Sequence, residues 1–135
     1  MQRLLDALVA QVARARDGRR GVAAVVRGYL AFTEAHPDAM RFIFASSYAA
    51  FLPRHAPVIE AAKAPRLQVL NGFIAGRVAA GEIVALPPFL YEMLIIGPVA
   101  EVAQRWLAAP AAHDLRLAAK HLPERIWRSV AAQEE

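Results

Sequence analysis

The sequence predicts an all-α fold, a bundle of about six helices, on three observations. Apolar residues recur at three- and four-residue steps along most of the chain. No sustained apolar–polar alternation occurs, and no Asn-Gly or Asp-Gly turn joins two such runs, so strand signals are weak. Prolines, glycines and short polar residues punctuate the helical pattern at intervals that suit helix ends. At 135 residues the chain is long enough for a real core without disulfides or metal, and a single domain over residues 1–135 is expected.

The first helix is expected from about Gln2 to Arg16, with Leu5, Leu8, Val9 and Val12 on one face and Asp17-Gly18 as its stop. The second, about Gly21 to Ala35, carries Val22, Val25, Val26, Tyr29, Phe32 and His36 in helical phase. His36 closes it, because the residue before a proline avoids the α region. Pro37 suits the first turn of a short third helix, where its missing N–H costs nothing. That helix holds Met40, Phe42, Ile43 and Phe44 and fades near Ser46-Ser47. Tyr48 to Pro57 reads as a helix end plus a loop.

A long helical pattern follows from Val58 to Ala80, with Pro65 expected to kink or split it. Gly81 suits the left-handed residue that closes many helices. Ile83 to Leu86 leads to a fifth helix, about Pro88 to Ala109, and Asp114 is a good N-cap for a sixth, ending near Ala132. Both carry an internal proline. Pro98 cannot donate to the carbonyl of Leu94 and its ring crowds that carbonyl; Pro123 does the same to Ala119. Each break costs up to about 3 kcal/mol in an isolated helix, so tertiary packing must hold both.

The chain is 57% apolar and only 21% charged, with mean hydropathy +0.29. That surplus suggests that the last two helices, roughly Pro88 to Ala132, cover their apolar surface against a second copy. Ile83 to Ala100 is the least polar window. It holds Glu92 and three prolines without a flanking positive cluster, which argues against a membrane span. Charges within the first turns argue against a signal peptide, and the absence of cysteine fits a reducing compartment, so a cytoplasmic location is expected. Net charge is +4, nearly all from arginine. The densest group, Arg14, Arg16, Arg19 and Arg20, reads as a solvated helix end; no basic stripe or groove-entering motif accompanies it.

Catalysis needs a nucleophile, a base and an orienter within reach. Ser46, Ser47 and Ser129 lie in no Gly-x-Ser-x-Gly elbow. His36, His55, His113 and His121 make no His-x-x-x-His pair, and His121 with Glu124 supplies only two ligands. No phosphate-cradling glycine loop is present, and Gly72 with Gly76 reads as a small-residue packing face. No catalytic residue, no cofactor and no metal are therefore expected, and the chain reads as a non-enzyme. The aromatic-rich middle should be mostly core. Even so, Arg77 follows Phe73 by one turn and Glu92 interrupts an apolar helix, so their faces could meet at a pocket of apolar walls with a few polar groups.

Four segments in order, Arg27-Gly-Tyr-Leu-Ala-Phe-Thr-Glu-Ala-His-Pro-Asp-Ala-Met-Arg41-Phe, Gly81-Glu-Ile, Leu94-Ile-Ile-Gly-Pro-Val-Ala-Glu-Val-Ala-Gln-Arg-Trp-Leu107 and Ile126-Trp127, resemble the C-terminal regulatory domain of TetR-family transcriptional repressors of bacteria. The resemblance covers nearly the whole chain. It implies a six-helix ligand-binding domain that forms a homodimer, its last two helices making a four-helix bundle with those of a second subunit. It also implies a small hydrophobic effector that shifts two DNA-reading heads. On that reading Leu94, Gly97, Glu101, Arg105, Leu115, Ala119, Leu122 and Ile126 lie near the dimer seam. Tyr29, Phe32, Phe44, Tyr48, Phe73, Arg77 and Met93 are the pocket candidates. Nothing before Arg27 resembles the family's helix-turn-helix, so no specific DNA binding by this chain alone is expected. The competing reading is a purely structural dimerisation module with a filled core, which the lack of any cavity above about 300 Å³ would favour.

Overall fold

The computed structural model describes residues 2–49 and 56–133, with side chains over 3–45 and 68–133. Over these residues the chain forms α1 (Gln2–Ala13), α2 (Gly18–Ala35), α3 (Pro37–Ala49), α4 (Ala56–Ala79), α5 (Pro88–Tyr91), a π-helical turn (Glu92–Ile96), α6 (Gly97–Ala108), a 3-10 turn (Pro110–Ala112) and α7 (Leu115–Val130). The run from α5 through the π-turn into α6 is continuous, so the architecture is six helical rods. Among the described residues the sole β feature is an isolated antiparallel bridge between Ile83 and Ala131. The all-α expectation holds.

The fold is built around α2, which packs along α1 on one side and α7 on the other, and also meets α3 and α6. Its Val22, Val25, Val26, Tyr29 and Leu30 are buried, meeting Leu4 and Leu8 of α1, Val99 and Ala103 of α6, and Ile126 and Val130 of α7 in one cluster. A helix buried on several sides must also satisfy its polar groups. The Thr33 hydroxyl, fully buried, donates to the Tyr29 carbonyl at 2.8 Å.

Helix ends follow from local chemistry. Asp17 is extended at φ −149°, and its carboxylate accepts from the Arg20 N–H at 2.8 Å. The Asp17-Gly18 pair therefore opens α2 three residues ahead of the expected Gly21, since an N-cap bond outweighs the poor helix propensity of glycine. His36 and Pro37 divide α2 from α3 as expected, and Asp114 caps α7 by accepting from the N–H groups of Arg116 and Leu117. Gly81, at φ +80°, ends α4: its N–H donates to the Val78 carbonyl at 3.0 Å while that of Glu82 reaches Arg77 at 2.9 Å. α4 itself is unbroken from Ala56 to Ala79, with no split at position 65.

The proline breaks expected in the last two helices take different forms. Before Pro98 the backbone widens: the Gly97 N–H donates to the carbonyl of Glu92, five residues back. That extra residue restarts the helix at Gly97 and puts Pro98 in the first turn of α6, where no N–H is required. Pro123 stays inside α7, with its ring buried on the core side. The α4–α5 connection is also tied to the end of α7, through Val84 N–H to Val130 O at 2.8 Å and Ala132 N–H to Glu82 O at 2.9 Å.

Candidate functional site

A cavity of about 210 Å³ lies where α1, α2, α4 and the α5–π-turn run converge. Val12, Val22, Val25, Leu70, Ile74, Ile95 and Ile96 give it aliphatic walls, with Phe73, Phe89 and Tyr91 adding aromatic surface. The local sequence explains the opening. Gly21 has no side chain, and the Phe73 ring comes so close to it that a Cβ there would stand 2.2 Å from the ring tip. The π-turn then directs Glu92, Ile95 and Ile96 to the same space. The Tyr91 hydroxyl is already used, donating to Val84 O at 2.6 Å and accepting from Leu86 N–H at 2.8 Å. Asn71 and Glu92 are the remaining polar side chains on the lining, and both are exposed, placing them at the mouth.

Behind Phe73 a polar cluster fixes the wall. The Arg77 guanidinium lies 5.7 Å from the Phe73 ring centroid and donates to Glu82 Oε2 at 2.9 Å. Glu82 Oε1 accepts from the Gly18 N–H at 2.9 Å, placing a carboxylate at the start of α2, where the helix dipole favours it. Arg77 Nε is buried without an acceptor. Gly18 in turn leaves room for Trp127, whose ring would stand 3.1 Å from a Cβ there.

Of the pocket candidates, Phe73 is in the cavity wall and Arg77 stands behind it. Tyr29 is buried in the core, and burial pushes its phenol up to about 12. Phe32 is half-buried with its ring tilted against His36, centroids 4.7 Å apart, and Phe44 packs at the core edge. Met93 points outward, 62% exposed. The side chain of Tyr48 lies outside the described residues. Gly21, Leu70, Ile74 and Ile95 carry no pocket signal that the sequence reading picks out. Helical phase from Phe73 reaches Leu70 and Ile74, whereas nothing in the sequence marks Gly21 as the partner of that ring.

The seam candidates divide as well. Gly97, Glu101 and Arg105 form an exposed stripe on α6, where nothing described lies within 4 Å of a Cβ built at Gly97 and Arg105 donates to Glu101 at 2.7 Å. Leu94, Ala119 and Leu122 are half-buried, while Leu115 and Ile126 belong to the core of their own chain. Gly72 and Gly76, read as a packing face, likewise have nothing described over them. Wider hollows of about 310 to 430 Å³ on the surface are open depressions. Among the described residues no three His, Asp or Glu side chains gather as metal ligands, and no helix is long and apolar enough to cross a membrane.

The fold is shared with a TetR-family regulator. The crystal structure of a TetR family transcription regulator from Marinobacter aquaeolei VT8 matches with a TM-score of 0.72 at 20% sequence identity, over 98% of this chain and 67% of that chain. No family model and no curated protein matches the sequence.

Proposed function

We propose that residues 1–135 act as the effector-sensing and dimerisation domain of a TetR-like transcriptional repressor, modulating DNA binding by a helix-turn-helix head that is not among these helices. The observation that carries the reading is the apolar cavity, enclosed by α1, α2, α4 and the π-turn within a fold shared with a transcription regulator. A small, mostly apolar effector would touch Ile95 and Ile96 directly. The same backbone run continues into Gly97, Glu101 and Arg105, on the outer face where a second copy would pack. A homodimer through α6 and α7 is supported by the bare backbone at Gly97, which permits close helix approach, and by exposed Met93 one turn before it and exposed Leu117 on α7.

Light scattering on the eluting peak of a sizing column tests the dimer: twice the chain mass is expected at micromolar concentration, and a stable monomer would sink it. A thermal-shift screen of small apolar molecules tests the cavity, because a ligand that binds only the folded state raises the midpoint. This chain alone should give only weak, salt-sensitive mobility shifts with DNA.

One observation favours the purely structural module. The cavity, at about 210 Å³, is smaller than the roughly 300 Å³ at which ordinary small-molecule sites begin. A dimer that no apolar molecule stabilises would decide for that second reading.

A further inference from the structure

The chemistry of the cavity's mouth selects among ligands by charge. Three observations bear on it. The lining is apolar except for Asn71 and Glu92, since the Tyr91 hydroxyl is bonded within the chain. No cation lines the cavity among the described residues, and Arg77, behind the Phe73 wall, has its charge engaged by Glu82. Among the described residues no ion pair or hydrogen bond holds the Glu92 side chain, as none holds that of Glu34, whereas Asp17, Asp38, Glu82, Glu101 and Glu124 are paired with arginines. A carboxylate projecting from an otherwise apolar helical run, on a lining that also carries an amide oxygen able to accept, can serve as the counter-charge of a cationic donor.

We infer that the cavity takes a single-ring arylalkyl ammonium ion: ring against Val22, Phe73 and Ile95, ammonium at the mouth between Glu92 and Asn71. Size sets the ring count. A dry apolar cavity of about 150 Å³ holds benzene, so about 210 Å³ admits one ring with a short side chain. Charge sets the head group. An anion would meet the Glu92 carboxylate with no compensating cation among the described residues, whereas an ammonium forms a charge-assisted bond at a place still open to water. Being at the mouth rather than inside, the pair avoids the large desolvation penalty of a buried ion pair and gains a correspondingly modest amount.

This inference rests on reading the cavity as a ligand site, and the test separates the two. The purified chain is titrated with phenethylammonium, phenethyl alcohol and phenylpropionate, following the methyl signals of Ile74 and Ile95 by NMR. Phenethylammonium should bind about three- to tenfold more tightly than the alcohol, with phenylpropionate weakest, and added salt should shrink the difference. Glu92→Gln should bring the ammonium to within about twofold of the alcohol, both measured on the variant. Phenylpropionate binding as well as the ammonium, or a preference that survives Glu92→Gln, overturns the charge assignment and leaves the cavity as a ligand site. If not even the alcohol moves the Ile74 and Ile95 signals, the ligand-site reading itself falls, and the inference with it.

Discussion

Gly21→Ala gives the sharpest test of how the cavity is built. In an ordinary helix interior this change is stabilising by about 1 kcal/mol, because glycine is the poorer helix former. Here the new Cβ would stand 2.2 Å from the tip of the Phe73 ring and 2.5 Å from a neighbouring ring carbon. The ring must turn or α2 must move away from α4, and overpacking of that kind costs about 1–3 kcal/mol. The two effects oppose each other, so Gly21→Ala alone should destabilise by roughly 0–2 kcal/mol. In a Phe73→Leu background the shorter side chain frees the space, and the same substitution should stabilise by up to about 1 kcal/mol. Urea denaturation of the four variants, with the slope checked for constancy, reads out the cycle. The coupling between the two sites should be about 1–3 kcal/mol. If the two changes simply add, to within about 0.5 kcal/mol, Phe73 does not press on Gly21 and the account of the cavity wall is wrong.

Glu82→Ala removes the acceptor for Gly18 N–H and the counter-charge of Arg77 together, and should cost about 1–3 kcal/mol by the same assay. Arg41→Ala, at the exposed Asp38–Arg41 pair one turn apart, should stay within about 0.5 kcal/mol, and equal losses at both sites would contradict the difference in burial. Tyr29, pushed up to about 12 by burial, has an unfolded-state value near 10. Its contribution is therefore complete below pH ~10 and is lost as pH rises toward ~12, by a few kcal/mol in all. Tyr29→Phe should flatten that part of the stability–pH curve, and parallel curves would refute the assignment. At the acid end Glu124 behaves oppositely. Desolvation pushes its carboxyl up, but hydrogen bonds from Arg128 and Arg19 and their charges outweigh this and hold it below the usual carboxylate range. Its contribution is present above that range and is lost as pH falls through the lowered value. Carboxyl NMR should show Glu124 titrating late, and Arg19→Ala should move it back up.

Much of the fold was legible because helices announce themselves by period and by their ends. Pro37, Gly81 and Asp114 each occupy the terminal position their chemistry suits. Asp17-Gly18 was ambiguous, since an Asp-Gly pair can stop one helix or cap the next, and the hydrogen bond to Arg20 decides it. The π-turn left no trace in the apolar period, because one extra residue hardly alters a pattern read over two turns. The cavity was legible at Phe73 and in the oddity of Glu92. Helical phase on the family resemblance offers Tyr29 and Phe32 as pocket residues, but α2 is covered on several sides, and period alone does not separate a cavity wall from solid core. The same limit applies to α7. Leu115 and Ile126 form a good apolar stripe, but burial against the same chain and burial against a second copy look alike in sequence.

The short segment from Gly81 to Val84 joins parts of the chain that are far apart in sequence. Glu82 is bonded across 64 residues to Gly18, and its own carbonyl takes the Ala132 N–H near the far end of the chain. Helices form locally within about a microsecond, but contacts of this span require the intervening chain to be gathered first. The Val84 and Ala132 amides should therefore be slow to exchange with solvent deuterium, opening only when the ends of α4 and α7 part. The last turn of the chain then serves as a latch on the order of events: until it is seated, the α4–α5 connection that braces Tyr91 has no fixed place to stand.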